Sequence, residues 1–385
     1  MTILDETVLH TLYPGTRGQI YLDSAAVGLL SRRVVDAMRG VLEEHSLIGS
    51  AAAEHRPAEI ARTRGIVAQL VGGSADRVAF SQNTATAIAL VINGLDWREG
   101  DNVVVPDGEF PSNLYPWLAL RRRGVEIRRV PMAEGHADES QLIQALDHRS
   151  RVLAVSAVQY SSGYRYDLER LGSACSGRGT MLVVDGTQSV GALTMRADEL
   201  KIDALCVSAH KWLLGPLGIG FAHFSEHAMD RLQPSVTGWR SVKEPFTFTP
   251  EPELADDARR FESGTENAAG VAGLAATASL VLEIGTAAVE EIVLERAARL
   301  EEICARHGMS SVRARPASRH SGILIVSSGT DDSALHARLI ASKVRCSLRA
   351  TGVRLSPHYF TTEADLAAFD EILREASLER THSRR

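Results

Sequence analysis

The sequence predicts an α/β protein with a mainly parallel sheet. Short apolar runs end in small or polar residues, and helical stretches separate these runs, which is the alternation typical of such sheets. The chain has 385 residues, of which 44% are hydrophobic, so it can bury a large core. Its length predicts two domains.

The predicted elements follow those runs. Strands are predicted at residues 102–106, 152–158, 181–184, 204–207, 219–224 and 322–326. Helices are predicted at residues 31–47 and 58–71 and from residue 362 onward, and a long loop at 239–257. Residues 268–305 carry an almost uninterrupted helical pattern, which predicts one long helix joining a large domain (20–270) to a small one (1–19 and 290–385).

The net charge and the cysteine positions limit the partners, the location and the kinds of site that we expect. A net charge of -6 and a pI of about 6.1 argue against nucleic-acid or anionic-membrane partners, which need a basic face. Residues 1–10 lack the pattern of a secretion signal, and no run of about 18 apolar residues occurs, so we expect a cytoplasmic protein. The four cysteines form no close pairs, and we expect neither a metal site nor disulfides.

Two polar clusters follow predicted strands. Asp185 lies in the stretch VVDGTQSVG (183–191), and Lys211 lies in VSAHKWLLGPLG (207–218). Both residues follow the C-terminal end of a predicted apolar strand, so both should reach the crevice at the carboxyl edge of the sheet. Pyridoxal 5′-phosphate needs a lysine for its Schiff base and an anion beside its ring nitrogen, and this pair supplies both. Ser208 and His210 could contact the phosphate.

These stretches resemble the class V aminotransferases. The pattern Asp-x-x-Gln-Ser-x-Gly, then Ser-x-His-Lys-x-x-x-Gly-Pro-x-Gly, is highly specific for that family, and matches extend over nearly the whole chain. The resemblance implies fold type I, with a mainly parallel seven-stranded sheet in the large domain and a smaller α+β C-terminal domain. It also implies a homodimer with shared active sites, in which Asp185 pairs with the ring nitrogen and Gln188 bonds the ring oxygen.

Further cofactor contacts are implied by the same resemblance. Thr84 and Ala85 begin an apolar helix, whose N-terminus is suited to a phosphate. Phe110 takes the position that stacks on the cofactor ring, where desulfurases have His or another aromatic residue. A phenyl ring stacks but carries no protons, so proton transfer at that face would fall to Lys211 or another group. Gln159 lies in the segment that passes the ring oxygen.

Other segments are implied to meet the partner subunit and the substrate. Gly264 and Thr265 resemble the loop that contacts the partner's phosphate. Arg354 lies in the motif whose arginine grips the substrate α-carboxylate through two parallel donors. The backbone at Ala25 would lie close to the substrate, and Trp239 could line its pocket.

The sequence predicts the reaction less specifically than it predicts the cofactor. Desulfurases of the family carry a cysteine on an extended loop before the arginine, whereas here Cys346 stands eight residues before Arg354 and the loop is short. We therefore expect Cys346 to be a buried structural thiol. The favoured hypothesis is a carbon–sulfur lyase acting on a cysteine-derived amino acid or its S-oxide, similar to ergothioneine-pathway lyases.

Other outcomes share the first steps of that chemistry. An amino-acid epimerase or an aminotransferase is the main alternative, and a cysteine desulfurase, a kynureninase-like hydrolase or a non-catalytic scaffold is less favoured. Lys211 is the catalytic amine in every enzymatic alternative, and the chain offers only three other lysines, at positions 201, 243 and 343.

Overall fold

The computed structural model describes residues 4–313 and 316–383, so the outermost residues of the predicted small domain and positions 314–315 lie outside the described part. The helices are α1 (Glu6–Leu12), α2 (Arg32–Ile48), α3 (Arg56–Val71), α4 (Thr84–Gly94), α5 (Tyr115–Leu118), α6 (Glu139–Gln144), α7 (Leu168–Ser176), α8 (Glu226–Arg231), α9 (Ala268–Ile284), α10 (Thr286–Arg306), α11 (Asp332–Ala341) and α12 (Glu363–Ser383). The strands are β1 (Ile20–Tyr21), β2 (Val78–Ser81), β3 (Asn102–Pro106), β4 (Glu126–Val130), β5 (Ser150–Ser156), β6 (Met181–Asp185), β7 (Ala204–Ser208), β8 (Gly220–Phe224), β9 (Ser310–Val312), β10 (Leu324–Ser327), β11 (Val344–Arg345), β12 (Ser347–Arg349) and β13 (Gly352–Leu355).

Seven strands form the central sheet, in the order β2-β8-β7-β6-β5-β3-β4. The pairs β7–β6, β6–β5, β5–β3 and β3–β4 are parallel, and β8 is antiparallel to both of its neighbours. The mainly parallel seven-stranded sheet is thereby confirmed. Every residue of β3, β6, β7 and β8 is buried, because helices cover both faces, and this explains the continuous apolar runs in the sequence.

A smaller α+β region contains the C-terminal part of the chain. Its four-stranded sheet has the order β12-β13-β10-β9 and is antiparallel throughout. The short β1 pairs in parallel with β11, and its neighbour Leu22 belongs to the same apolar cluster as Leu324 and Leu355. The start of the predicted large domain is therefore tied to the C-terminal region.

The single long helix predicted over residues 268–305 is wrong. The chain forms α9 and α10, which meet at an angle of 83°. Gly285 stands between them with φ +94°, a conformation that an α-helix cannot contain and that glycine adopts without a steric penalty. Among the described residues, no single helix is long and apolar enough to cross a membrane, and only the bent α9–α10 pair passes that test by length and composition.

Candidate active site

The carboxyl ends of β6 and β7 bring Asp185 and Lys211 together. Asp185 is the last residue of β6, and Lys211 follows β7 by three positions. Burial lowers the pKa of Lys211 to about 8, and the nearby Asp185 carboxylate acts in the opposite direction. The structure thus places a partly desolvated amine within electrostatic reach of a buried carboxylate, as a lysine nucleophile requires.

Asp185 is held in place by its own loop. The backbone N–H of Thr187 donates to its Oδ1 at 2.9 Å. Burial raises the pKa of Asp185, while the bonds to Thr187 and the charge of Lys211 act against that rise. A cation at hydrogen-bond distance would stabilise the ionised carboxylate, and a protonated pyridine nitrogen is such a cation.

The turn that carries Lys211 is tight and closely packed. Leu214 is buried with φ +55°, a costly conformation for a branched residue, and its N–H donates to the Lys211 carbonyl at 2.9 Å. Gly28 donates its N–H to the His210 carbonyl at 2.7 Å, and a Cβ there would lie 2.3 Å from the Lys211 oxygen. The N-terminal segment therefore packs directly on the lysine turn and fixes its backbone.

Three hydroxyl groups meet at the N-terminus of α4. The Thr84 hydroxyl lies 2.7 Å from that of Thr187 and 2.8 Å from that of Ser208. Ser208 also accepts from the Thr84 N–H at 2.8 Å. Three hydroxyl hydrogens serve only two mutual bonds, so one remains to donate to an outside acceptor. The Ala85 N–H lies in the first helical turn, where it has no intrahelical acceptor, so the cluster suits an anionic oxygen.

Gln188 is fixed from two sides. The Trp212 indole N–H donates to its Oε1 at 2.7 Å, and its Nε2 donates to the Ala25 carbonyl at 3.2 Å. The Ala25 N–H donates to the Ser356 hydroxyl at 3.1 Å. The structure therefore brings Ala25 into the site, but both of its backbone polar groups already have partners within the protein.

Phe110 stands beside the lysine. The Lys211 Nζ lies 4.9 Å from the centroid of its ring, and the Tyr160 ring meets it edge-on with centroids 5.2 Å apart. The preceding Glu109 is buried and accepts from the Ser156 N–H at 2.7 Å and from its hydroxyl, which anchors the Phe110 loop to β5. Burial raises the pKa of Glu109 to about 7.

Arg354 is a buried cation with free donors. Only 1% of the residue is exposed, and its Nη1 reaches the Tyr160 carbonyl at 3.4 Å, while its Nη2 lies 3.6 Å from the Asp23 carboxylate. Its Nε and Nη2 are buried without a hydrogen-bond partner. Burial lowers its pKa to about 10, and the charge of Arg349 adds to that effect. Unpaired buried donors of this kind fit a site that receives an anion.

Four predicted residues lie apart from this cluster. Gln159 is buried, and its side chain contacts Met132 and Ser161 rather than the lysine. Trp239 is 38% exposed and packs against Arg240 and Phe246. Gly264 and Thr265 lie in a loop that Glu262 and Glu266 tie back to Arg64 and Arg240. Their predicted contact is with a partner subunit, which a single chain does not test.

Sequence reasoning assigned no role to five residues that the structure brings to the site. They are Thr187, Trp212, Tyr160, Arg349 and Asp23. A usable signal exists for Thr187 and Trp212, because each adjoins a residue of the Asp-x-x-Gln and His-Lys patterns. Tyr160 adjoins Gln159, and Asp23 lies two positions before Ala25, but neither side chain belongs to a recognised pattern. Their contacts with Phe110 and Arg354, and the proximity of Arg349, depend on the three-dimensional fold.

Comparison with known proteins places the chain in a family. The model for "Aminotransferase class-V" matches residues 20–368. The chain belongs to the class V aminotransferase family. It is a pyridoxal phosphate-dependent enzyme of fold type I that acts on amino acids. It is 29% identical to a probable cysteine desulfurase of Methanothermobacter thermautotrophicus, with 94% of this chain and 96% of the relative covered.

Other similar proteins agree with this family. A probable cysteine desulfurase of Pyrococcus abyssi is 30% identical, with 72% of this chain and 71% of the relative covered. An apo cysteine desulfurase structure from Thermococcus onnurineus matches with a TM-score of 0.86 and 24% identity, covering 96% and 98% of the two chains. The cystine C–S lyase C-DES, in complex with cysteine persulfide, matches with a TM-score of 0.86 and 23% identity, covering 94% and 98%. At these identities the two structures support the fold alone.

Proposed function

We propose that the protein is a carbon–sulfur lyase that carries out β-elimination on a cysteine-derived amino acid or its S-oxide. In such a reaction the α-proton leaves, the carbon–sulfur bond breaks, and water completes the release of pyruvate and ammonium beside a thiol, a persulfide or a sulfenic acid, depending on the group that the sulfur carries. Pyridoxal phosphate, when bound, supplies the electron sink for the carbon that loses its proton.

Lys211 and Asp185 carry the reaction in this proposal. Lys211 would hold the cofactor and would accept the α-proton of the bound substrate, and its pKa of about 8, lower than that of a free lysine, makes it a better base near neutral pH. Asp185 would keep the ring nitrogen protonated. Phe110 would stack on the ring, and Gln188 would donate to the ring oxygen.

The phosphate would lie at the hydroxyl cluster. Thr84, Thr187 and Ser208 can always spare one hydroxyl hydrogen, and the first turn of α4 adds the Ala85 N–H. His210, next to Lys211, completes the donors. The pKa of His210 is lowered, chiefly by burial and further by the charge of Lys211, so a neutral imidazole would approach the phosphate.

Arg354 would bind the substrate α-carboxylate. The two donors without a hydrogen-bond partner, Nε and Nη2, lie on one edge of the guanidinium group, which is the edge that matches a carboxylate, and Asp23 stays 3.6 Å away from Nη2. Arg349 supplies a second positive charge nearby. Its Nε is also buried without a hydrogen-bond partner, and in this proposal it would donate to an oxygen on the substrate side chain.

We favour a lyase over a desulfurase because the cysteine thiols are buried. The chain has four cysteines, all of them described and all buried. Cys346 stands between β11 and β12, its carbonyl accepts from His336, and burial raises the pKa of its thiol to about 12. A protonated thiol held between two strands cannot extend toward a substrate to accept sulfur.

The test is a product assay with the cofactor-loaded enzyme. Cysteine, cystine, an S-alkyl cysteine and an S-alkyl cysteine S-oxide are supplied separately, and pyruvate, ammonium, alanine, D-amino acid and keto-acid exchange are measured. We expect pyruvate and ammonium in equal amounts, with turnover unchanged in Cys346→Ser. Alanine as the product, with activity lost in Cys346→Ser, would mean a desulfurase. D-amino acid or keto-acid exchange would mean an epimerase or an aminotransferase.

Assembly, location and domain limits complete the proposal. We propose a cytoplasmic homodimer in which Gly264 and Thr265 reach the partner's phosphate, because this loop is anchored in the chain yet Thr265 itself is exposed. The large and small domains are proposed to divide near the α9–α10 bend. The roles of Gln159 and Trp239 remain proposals: the side chain of the first points toward Met132, and the ring of the second is partly exposed.

A further inference from the structure

Trp212 connects the lysine turn to two other segments. It follows Lys211 directly and is fully buried. Its indole N–H donates to Gln188 Oε1 at 2.7 Å, and its carbonyl accepts from His358 Nε2 at 2.8 Å. The same residue therefore contacts the segment that follows β6 and the segment that follows β13.

The tautomer of His358 can be deduced from its bonds. Its Nδ1 accepts from the Tyr359 N–H at 2.9 Å, so the ring hydrogen must be on Nε2, where it meets the Trp212 carbonyl. Burial lowers the pKa of His358 to about 4, which keeps the ring neutral. The backbone of Trp212 is thus fixed by a bond that does not titrate near neutral pH.

Close packing also fixes the indole ring. A Cβ on Gly322 would lie 2.4 Å from the indole Cη2, and a Cβ on Gly191, whose φ is +98°, would lie 2.4 Å from the Trp212 carbonyl oxygen. Only glycine leaves room for Trp212 at both places. The indole N–H therefore points at Gln188 in one defined orientation.

The orientation of the Gln188 amide follows from its partners. An indole N–H can only donate, and the Ala25 carbonyl can only accept, so Oε1 must face Trp212 and Nε2 must face Ala25. One Nε2 hydrogen is used by Ala25, and the second is left over. The group that Gln188 presents to a third partner is thereby a donor.

We infer that Trp212 is a positioning residue that keeps the Gln188 amide turned with its N–H toward the cofactor's ring oxygen. The inference rests on the proposed function, which puts Gln188 beside that oxygen. Without the indole donor the amide is oriented only by its 3.2 Å bond to the Ala25 carbonyl, so the flipped orientation, in which its oxygen faces and repels the ring oxygen, becomes less costly. A donor at this place stabilises the anionic ring oxygen and so favours loss of the proton shared between that oxygen and the Lys211 nitrogen.

The test is a pH titration of the visible absorption band of the cofactor-loaded protein. In Trp212→Phe, which removes the N–H and keeps an aromatic ring, we expect the midpoint to rise by roughly one pH unit, the effect of losing one hydrogen bond to a charged group. Trp97→Phe is the matched control, because Trp97 donates to the Ile92 carbonyl at 2.7 Å beyond the far end of α4. That variant should keep the wild-type midpoint.

A double variant separates positioning from a general structural effect. Gln188→Ala should itself raise the midpoint, and adding Trp212→Phe to it should cause no further shift. If Trp212→Phe does not fold, β-(3-benzothienyl)alanine at position 212 replaces the N–H by sulfur and keeps the shape of the indole. An unchanged midpoint in the variant that folds, or an equal further shift in the Gln188→Ala background, would overturn the inference. A wild-type protein that gains no visible band on adding pyridoxal phosphate would instead refute the proposed function.

Discussion

Asp185 and Arg354 are both buried and charged, but their surroundings differ. Asp185 accepts from the N–H of its own loop, and the hydroxyl groups nearby are bonded to one another. Arg354 keeps two donors without any hydrogen-bond partner. The polar groups on the cofactor side of the site are already hydrogen-bonded in place. On the substrate side, the buried Arg354 donors carry a desolvation cost that binding of a substrate carboxylate would offset.

The largest expected effect comes from the cofactor side. Lys211→Ala should reduce turnover by more than roughly a thousandfold, because the same amine holds the cofactor and moves the proton. Turnover is measured under saturating substrate, with circular dichroism as the check on folding. Lys201→Ala, in an exposed turn with φ +55°, is the control and should keep its activity. Unchanged turnover in Lys211→Ala would refute the mechanism.

The substrate side should respond differently. Arg354→Leu should lower kcat/KM by roughly a hundredfold or more through lost charge-assisted bonds, while the free energy of unfolding changes little, because within the protein Arg354 has only a 3.4 Å bond to the Tyr160 carbonyl and a 3.6 Å ion pair with Asp23. Arg64→Leu is the contrasting variant. Arg64 forms two 2.6 Å bonds to Glu262, so its loss should destabilise the protein by roughly 3 kcal/mol.

Chemical denaturation measures both variants. If Arg354→Leu is destabilised as strongly as Arg64→Leu, then Arg354 supports the fold, and the contrast between the two sides of the site is lost. If it keeps full kcat/KM, another group binds the carboxylate.

A smaller effect is expected in the hydroxyl cluster. Thr187→Ala breaks the bond to Thr84 and removes the acceptor of the Ser208 N–H, so the remaining hydroxyls are held less firmly and the dissociation constant for pyridoxal phosphate should rise roughly tenfold, the value of about one hydrogen bond. Thr187→Ser keeps the hydroxyl and should restore binding. Fluorescence titration of the apoprotein measures both constants. Equal weakening in the two variants would point to the lost methyl group and not to the donor.

The smallest expected effect is on the pH dependence of cofactor binding, to which charged groups on both sides of the site contribute. Apoprotein should combine with pyridoxal phosphate faster as pH rises, with a midpoint at about pH 8, because only the unprotonated Lys211 amine reacts and burial lowers its pKa to about 8. Arg354 also lowers that pKa and Asp185 raises it. The midpoint should therefore move up in Arg354→Leu and down in Asp185→Asn, by less than roughly one pH unit each. Stopped-flow absorbance follows the rate, and shifts in the opposite directions would contradict this assignment of charges.

Much of the fold could be predicted because strands that are buried on both faces of the sheet consist of continuous apolar runs, which are visible in the sequence. The runs at β3 and β6 to β8 are continuous and apolar, and their predicted bounds differ from the observed ones by one residue at most. The edge strand β4 was not predicted, since it includes Arg128 and Arg129 and partly faces solvent. The break at Gly285 was missed because one glycine in a strongly helical pattern does not reveal its φ.

The site could be predicted only as far as its local patterns reach. Asp185 and Lys211 each follow a strand that could be recognised, and the geometry of a parallel sheet brings such ends together. The bond from Trp212 to Gln188 joins positions 24 residues apart, and its existence depends on the room left by Gly322. Contacts of this kind need three-dimensional packing, which one sequence does not display.

The measurement closest to the central claim locates the lysine that holds the cofactor. The loaded protein is treated with borohydride, which makes the bond between lysine and cofactor permanent, and is then digested and sequenced by mass spectrometry. We predict that the added mass lies on Lys211 alone and disappears in Lys211→Ala. Label on Lys201, Lys243 or Lys343, or no label at all, would contradict the account.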